Sequence, residues 1–201
     1  FPELSSAQAF DDIEAFANSL QMPRKIMLMV NAGKVTDRVI SDLLPFLSEG
    51  DIIIDGGNSN YNATEERFKM LKSQNIRFIG AGVSGGEAGA SKGFSIMSGG
   101  DAIVYGKVEE YMVAMAAKDA EGKPCCTYVG TRGSGHFVKM VHNGIEYAEM
   151  QLLAEVYAIF REMGRNPGEI ATVLESWKST ANSYLLRITI DILRKQEGGD
   201  W

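Results

Sequence analysis

The sequence predicts an α/β fold in which a doubly wound, mostly parallel sheet is followed by the beginning of an all-helical domain. Short apolar runs, such as residues 25–30 and 51–55, are typical of strands buried on both faces of a parallel sheet. Stretches with helical spacing separate these runs, as in a Rossmann-like sheet with right-handed crossovers. From residue 135 onward the sequence is compatible with helices, and three are predicted there. We therefore predict an α/β domain at residues 1–131, incomplete at its start, and an incomplete helical domain at residues 132–201.

Each element has its own signal along the chain. A helix is predicted at residues 8–20, capped by Ser5 and Ser6. The predicted strands cover residues 25–30, 51–55, 77–80, 94–97 and 127–129. The predicted helices after the first cover residues 36–47, 62–74, 108–117, 135–163, 167–178 and 184–195. Glycine-rich turns separate several of them, and eight of the 21 residues from Gly80 to Gly100 are glycine. Backbone in that segment is expected to turn sharply or to approach another group closely.

Composition and charge exclude several classes of protein. The chain has 201 residues, of which 45% are hydrophobic and 23% charged, values typical of a globular protein. No apolar run reaches the roughly 18 residues of a membrane span, and a net charge of -6 argues against a nucleic-acid partner. Cys125 and Cys126 are adjacent, so a bond between them would be strained; a reducing, cytoplasmic setting is the simplest interpretation. The first residues carry no targeting signal, and we expect the chain to be a central piece of a longer protein.

Three polar, glycine-containing loops follow three predicted strands. They are residues 31–33, 56–58 and 83–87, and ligands of open parallel sheets bind at this edge, near a switch in strand order. Ser84, Gly85 and Gly86 could direct backbone N–H groups and a hydroxyl toward a carboxylate or phosphate. Each loop taken alone could also be an ordinary turn whose polar groups satisfy its own backbone.

The long predicted helix carries the candidates for catalysis. Lys139, Asn143 and Glu146 share one face of it, with His142 and Tyr147 at the border. This set could be a solvated face with a Lys–Glu tether, and His142 could be a structural histidine. Apolar residues surround the polar stripe, however, which predicts a helix that is buried more than a surface helix. A buried lysine and glutamate need partners or shifted pKa values, as general acids and bases do. The histidines and cysteines have no spacing typical of a metal site, so no metal ligand is predicted.

Four segments make the sequence resemble the 6-phosphogluconate dehydrogenase family over essentially its whole length. They are IIIDGGNSNY (52–61), GAGVSGGEAGA (80–90), PCCTYVG (124–130) and GHFVKMVHNGIEYAEMQL (135–152). Gly135, Lys139 and Asn143 also fit the wider β-hydroxyacid dehydrogenase superfamily. His142, Glu146 and Tyr147, with the DGGNSNY segment, distinguish the 6-phosphogluconate member.

The resemblance implies an activity and a set of site residues. The implied reaction is oxidative decarboxylation of 6-phospho-D-gluconate to ribulose 5-phosphate and CO₂, with hydride transfer to NADP, or to NAD as the alternative, in the pentose phosphate pathway. Lys139 would be the base and then the acid of the first steps, and Glu146 the acid that protonates C1. The implied substrate-binding residues are Asn58, Ser84, Gly85, Gly86, His142, Asn143 and Tyr147. The implied cofactor-binding residues are Val30, Asn31, Ala32 and Asn58. A cytoplasmic homodimer, without nucleic-acid or membrane partners, completes the expectation.

The sequence also departs from the family pattern. Asn31 stands where family members usually have a lysine, which would remove one cationic contact to the cofactor. The glycine fingerprint of the first strand–helix turn is expected before Phe1. Two other functions stay open: a β-hydroxyacid dehydrogenase that does not decarboxylate, and a non-catalytic fragment that retains only ligand binding or assembly.

Overall fold

The computed structural model describes residues 7–195, which alternate between strands and helices before becoming helical. The elements are α1 (Ile13–Ser19), β1 (Lys25–Leu28), α2 (Lys34–Leu43), β2 (Ile52–Asp55), α3 (Tyr61–Ser73), β3 (Arg77–Ser84), α4 (Gly86–Lys92), β4 (Ser95–Gly100), α5 (Ala102–Gly106), α6 (Glu109–Met115), β5 (Cys126–Gly130), α7 (Ser134–Glu162), α8 (Pro167–Trp177) and α9 (Tyr184–Arg194). A short 3₁₀ turn, Leu44–Phe46, follows α2. The chain divides into two compact units, Phe1–Met140 and Val141–Trp201, and the predicted domain boundary at residues 131 and 132 remains a prediction.

The first unit contains one five-stranded sheet in the order β1-β2-β3-β4-β5. Strands β1, β2 and β3 are parallel, β4 is antiparallel to β3, and β5 is parallel to β4. The predicted mostly parallel α/β sheet is therefore confirmed. The described strands follow one another in sequence order, so the reversal of strand order expected near the site does not occur among them. The ends of β1 and β2 are level, with Leu28 opposite Asp55.

Helices cover both faces of this sheet, as the continuous apolar runs predict. Packing of apolar side chains on both sides removes the strands from water, the main source of stability for such a sheet. One core joins the strands to α5 and α6 through Ile52, Ile54, Ile79, Ala81, Ile96, Val104, Val108 and Met112. The other joins them to α2 and α3 through Ile26, Leu28, Ile40, Leu43, Ile53, Leu71 and Phe78.

Several predicted boundaries were wrong. Helix α1 begins at Ile13 and not at residue 8, because the Asp12 carboxylate accepts the N–H of Ala15 and caps it there. The predicted caps Ser5 and Ser6 lie outside the described residues. Strand β3 continues to Ser84, four residues beyond its predicted end, because it pairs with β4. The predicted helix at 108–117 is α6, and α4 and the Asp101-capped α5 were not predicted.

The second unit is helical, as predicted. Its core contains Leu153, Val156, Tyr157, Phe160, Ile170, Ala171, Leu174, Leu186 and Ile190. A capping box formed by Asn166 and Glu169 begins α8. The Ser183 hydroxyl accepts the N–H of Leu186 at the start of α9 and donates to Glu149 on α7, which ties these two helices together. Among residues 7–195, no helix is both long and apolar enough to cross a bilayer.

The first turn of α7 touches the backbone of the sheet directly. A methyl group at Gly135 would lie 2.5 Å from the Met97 carbonyl oxygen and 2.8 Å from the Gly99 nitrogen, and closer still to the Gly80 carbonyl oxygen. A methyl group at Gly99 would in turn collide with the Gly135 nitrogen. The glycine excess between residues 80 and 100 therefore partly serves the close approach that the sequence predicts.

We expect Gly135→Ala to destabilise the chain, because its methyl group would meet backbone atoms that cannot rotate away. Overpacking of this kind costs about 1–3 kcal/mol, measurable as a lower midpoint of urea unfolding followed by circular dichroism. Gly144→Ala is the matched control on the same helix: no atom lies within 4 Å of the added methyl group, and alanine should stabilise the helix by up to about 1 kcal/mol. Equal midpoints for the two variants would contradict the close contact.

Candidate active site

The loops that follow β1 and β2 lie against each other. A methyl group at Gly57 would be 2.9 Å from the Val30 carbonyl oxygen, so only glycine allows this turn to approach the end of β1. Asn31 and Ala32 are exposed on one side of the contact, and Asn58 is exposed beside Gly57. The structure thus brings the four residues predicted to bind a cofactor to neighbouring loops at one edge of the sheet.

Hydrogen bonds from inside the protein hold the loop after β1. The Thr36 hydroxyl donates to the Asn31 carbonyl oxygen at 3.0 Å, and the Arg67 guanidinium donates to the Gly33 carbonyl oxygen at 3.2 Å. In a trans peptide the N–H points opposite to the C=O, so the N–H groups of Ala32 and Lys34 point away from these donors. Outward N–H groups of this kind can bind an anionic or carbonyl oxygen of a ligand.

The turn after β2 is built around a buried carboxylate. Asp55 is fully buried, accepts the Gly57 N–H at 3.0 Å and the Ser59 hydroxyl at 2.7 Å, and pairs with Arg67 at 3.1 Å. These bonds satisfy the charge, which would otherwise be costly to bury, and leave Asn58 exposed. Sequence analysis missed Asp55 and Arg67, although a charged residue at the end of the apolar run IIID was a signal.

Ser84, Gly85 and Gly86 lie at the carboxyl end of β3, as predicted. Because β1, β2 and β3 are parallel, this turn emerges at the same end of the sheet as the other two loops. Gly85 and Gly86 have φ values of 149° and 54°, which side chains disfavour. Ser84 is half-buried, whereas the backbone of the two glycines is exposed and accessible to a ligand.

Lys139 lies against β3, close to that turn. Only 8% of this residue is exposed, and a methyl group at Gly82 would be 2.5 Å from the Lys139 Cβ. Gly82 precedes Ser84 by two residues on the strand. The predicted burial of the lysine is therefore confirmed, and Gly82 is the residue that makes room for it.

The other predicted residues of α7 lie in the second unit and are more exposed than expected. His142 and Glu146 form a pair with 3.2 Å between Nδ1 and Oε2, and their side chains are 40% and 41% exposed. Asn143 is half-buried and Tyr147 exposed. The prediction of a buried helix is thus wrong beyond Lys139, because the glycines of β3 and β4 accommodate only the first turns of α7.

His136 is a buried group that sequence analysis also missed. It is 2% exposed, and its Nδ1 lies 2.7 Å from the Thr64 hydroxyl on α3. Burial lowers the pKa of His136, while the Asp55 charge acts in the opposite direction, so the neutral imidazole is favoured. The sequence contained one indication of this burial: His136 precedes Lys139 by three residues and therefore shares a face of the helix with it.

No group of three or more His, Cys, Asp or Glu side chains that could hold a metal occurs among the described residues.

Glycine-containing loops at the carboxyl ends of parallel strands are the ligand-binding edge of dinucleotide-binding α/β domains, and the fold places the chain in that class. A family model described as the NAD binding domain of 6-phosphogluconate dehydrogenase matches residues 3–130. The model of the C-terminal domain of the same enzyme matches residues 135–200. The chain belongs to the 6-phosphogluconate dehydrogenase family.

Individual relatives support this assignment. The decarboxylating 6-phosphogluconate dehydrogenase of Bacillus licheniformis is 52% identical over 194 residues, which are 96% of this chain and 41% of the relative. The NAD(+)-dependent decarboxylating enzyme of Bacillus subtilis has the same identity and coverage. A solved structure of Plasmodium falciparum 6-phosphogluconate dehydrogenase matches with a TM-score of 0.86 and 41% identity, over 94% of this chain and 41% of that one. The chain thus spans about two fifths of the length of these relatives.

The lowered pKa of His136 predicts how stability depends on pH. The folded state keeps His136 neutral below about pH 6.5, where the unfolded chain takes up a proton, so stability falls as the pH drops through this range. In His136→Gln this contribution is absent, so the loss of unfolding free energy between about pH 7.5 and about pH 5.5 should be smaller than in the unmodified chain. Urea unfolding at the two pH values measures it. His142 is present in both proteins and cancels; parallel losses in both would contradict a neutral His136.

Proposed function

We propose that this chain carries the catalytic segment of a decarboxylating 6-phosphogluconate dehydrogenase. The reaction is the oxidation of 6-phospho-D-gluconate by NADP or NAD, with release of CO₂ and formation of ribulose 5-phosphate. The observation that carries the proposal is the buried Lys139, packed over Gly82 beside the Ser84–Gly86 turn. The names of the Bacillus relatives, and the complexes of the Plasmodium falciparum protein with NADP+ and 6-phosphogluconate, support it.

The loops after β1 and β2 are proposed to bind the nicotinamide cofactor. Val30, Asn31 and Ala32 would line it, with the N–H groups of Ala32 and Lys34 as donors, and Asn58 would contact both cofactor and substrate. The bound cofactor supplies the hydride acceptor. The cofactor is proposed to be NADP or NAD, because one relative is named NAD(+)-dependent and another was solved with NADP+.

Lys139 is proposed to move the proton of the first step. Its neutral amine takes the proton of the C3 hydroxyl as the hydride leaves C3, which produces a 3-keto acid. The resulting ammonium group then polarises the C3 carbonyl. The C1–C2 bond breaks, CO₂ departs, and the electron pair of that bond forms a C2–C3 double bond. The ammonium group of Lys139 returns its proton to the C3 oxygen, which gives the enediol and restores the neutral amine. Ser84, Gly85, Gly86, His142, Asn143 and Tyr147 would hold the sugar acid during these steps.

Glu146 is proposed to complete the reaction as a general acid. The enediol needs a proton on the carbon that becomes C1 of ribulose 5-phosphate. Glu146 follows Lys139 by seven residues on one helix, about two turns or roughly 10 Å of rise, so each residue can serve a different end of the reacting carbon chain. The Glu146 Oε2 lies 3.2 Å from the Nδ1 of His142 on the same helix.

The whole protein is further proposed to be a cytoplasmic homodimer. Cys125 and Cys126 are both free thiols, which suits a reducing compartment. The resemblance to the family supports the dimer, and the exposed apolar side chains of Val141, Ile145 and Leu152 offer area for a subunit contact.

The product of the full reading frame that encodes these residues should reduce NADP or NAD with 6-phosphogluconate and release one CO₂ per dinucleotide reduced. Lys139→Met should abolish both, because methionine keeps the length and removes the base, while substrate affinity stays within about tenfold, or about 1.4 kcal/mol. Lys107→Met, at an exposed lysine, is the control and should retain activity. Reduction without CO₂ would instead support a non-decarboxylating hydroxyacid dehydrogenase, and binding without turnover a non-catalytic protein.

Glu146→Gln should lower kcat by about 10²–10⁴-fold with little change in KM, because the amide cannot donate a carboxylic proton. Incorporation of solvent deuterium at C1 of ribulose 5-phosphate, followed by NMR, should lose its stereoselectivity, since water would deliver the proton to either face. Glu155→Gln, at an exposed glutamate of the same helix, should behave as wild type. Normal kcat and single-face protonation in Glu146→Gln would show that the carboxylate is not the acid.

A further inference from the structure

One buried guanidinium connects the two loops that the proposed function assigns to the cofactor. Arg67 on α3 has a side chain that is 4% exposed, and four hydrogen bonds surround its planar group. Nε donates to Asp37 at 2.7 Å, Nη2 to the Gly33 carbonyl oxygen at 3.2 Å, and Nη1 to Asp55 at 3.1 Å and Ser59 at 3.0 Å. Gly33 and Asp37 follow β1, whereas Asp55 is the last residue of β2 and Ser59 follows it. Arg67 therefore fixes both loops relative to each other.

We propose that Arg67 is a positioning residue for nicotinamide dinucleotide binding, acting through the carbonyl of Gly33 and the carboxylate of Asp55. This inference rests on the proposed function. Because the side chain of Arg67 is almost completely buried, it acts on the ligand only through the loops. The fork of guanidinium N–H groups has fixed directions, so its bonds set the orientation of the Gly33–Lys34 peptide and of the turn that presents Asn58.

A second buried pair in the same sheet separates positioning from stability. Arg24 lies at the amino end of β1 and pairs with Asp51, which precedes β2, at 2.9 Å; the two side chains are 9% and 1% exposed. Arg24 also donates to the Ala17 carbonyl oxygen. The two arginines thus have similar burial and similar partners, but they join opposite ends of the same two strands. Only the Arg67 pair lies at the end where the candidate loops are.

The exposed partner of Arg67 separates geometry from charge. The Asp37 side chain is 58% exposed, so its removal leaves a folded protein. Asp37→Ala removes a negative charge near a proposed site for an anionic dinucleotide, and Coulomb attraction alone would then tighten binding. If Arg67 positions the loops, Asp37→Ala should instead weaken dinucleotide binding, because the guanidinium group would lose one of the acceptors that orient its N–H groups.

The test measures dissociation constants for NADP and NAD by calorimetry, and melting temperatures, in the product of the full reading frame. Arg67→Lys, which keeps the charge and loses the fork, should raise the dissociation constant for the preferred dinucleotide at least about tenfold. Both Arg67→Lys and Arg24→Lys should lower the melting temperature, and by similar amounts. Arg24→Lys, however, should leave the dissociation constant for the dinucleotide within about twofold of the wild-type value. Asp37→Ala should weaken dinucleotide binding by about two- to fivefold.

Each other outcome counts against the inference. Equal weakening by Arg67→Lys and Arg24→Lys would show a general effect of stability, and an unchanged constant in Arg67→Lys would show that the loops do not depend on the fork. If Arg67→Lys does not fold, Asp37→Ala decides, and tighter binding in that variant overturns the proposal. A wild-type protein that binds neither dinucleotide overturns the proposed function as well, whereas an active enzyme insensitive to Arg67→Lys overturns the positioning role alone.

Discussion

The backbone of α7 can approach the backbone of the sheet only because both surfaces lack side chains at the contact. Gly80, Gly82 and Gly99 form a surface on β3 and β4 that has no Cβ atoms, and Gly135 faces it from the first turn of the helix. A larger residue at any of these positions would move the helix away from the strand. The depth of Lys139 in the structure follows from this contact, since its Cβ lies directly over Gly82. The close packing thus determines the position of the Lys139 side chain, which is proposed to transfer the proton.

The buried charge of Asp55 is fully hydrogen-bonded, whereas the Ser98 and Ser134 hydroxyls and the His136 Nε2 near this contact are buried without a hydrogen-bond partner among the described residues. Asp55 is shared between a backbone N–H, a hydroxyl and a guanidinium, and each bond offsets part of its desolvation. His136, in contrast, avoids the cost of burying a charge, because burial lowers its pKa and favours the neutral imidazole. Replacing such networks by apolar side chains often costs nothing in stability. Their value here is that they specify the geometry of the loops that they join.

The sequence predicted the fold class and most elements, because apolar runs and helical spacing are local signals. It also predicted the strand-end loops and the burial of Lys139. It did not predict the burial of Arg67. This residue lies in a charged helix, where the sequence pattern does not distinguish it from exposed neighbours such as Glu66. Its burial depends on Asp37 and Asp55, 30 and 12 residues away. The exposure of Glu146 escaped prediction for the opposite reason: apolar neighbours indicate that a helix can be buried, but not which part of the molecule covers it.

The two buried arginine–aspartate pairs show how one kind of interaction serves two purposes in this sheet. At the amino ends of β1 and β2, Arg24 bonds to Asp51 and to a helix carbonyl, and thereby closes the end of the domain. At the carboxyl ends, Arg67 bonds to Asp55 and to the Gly33 carbonyl, and the backbone groups beyond that carbonyl remain exposed. In a trans peptide the N–H points opposite to the C=O, so a loop carbonyl held inward leaves the following N–H directed outward. The same kind of ion pair therefore closes the domain at one end and holds, at the other end, the loops proposed to bind the cofactor.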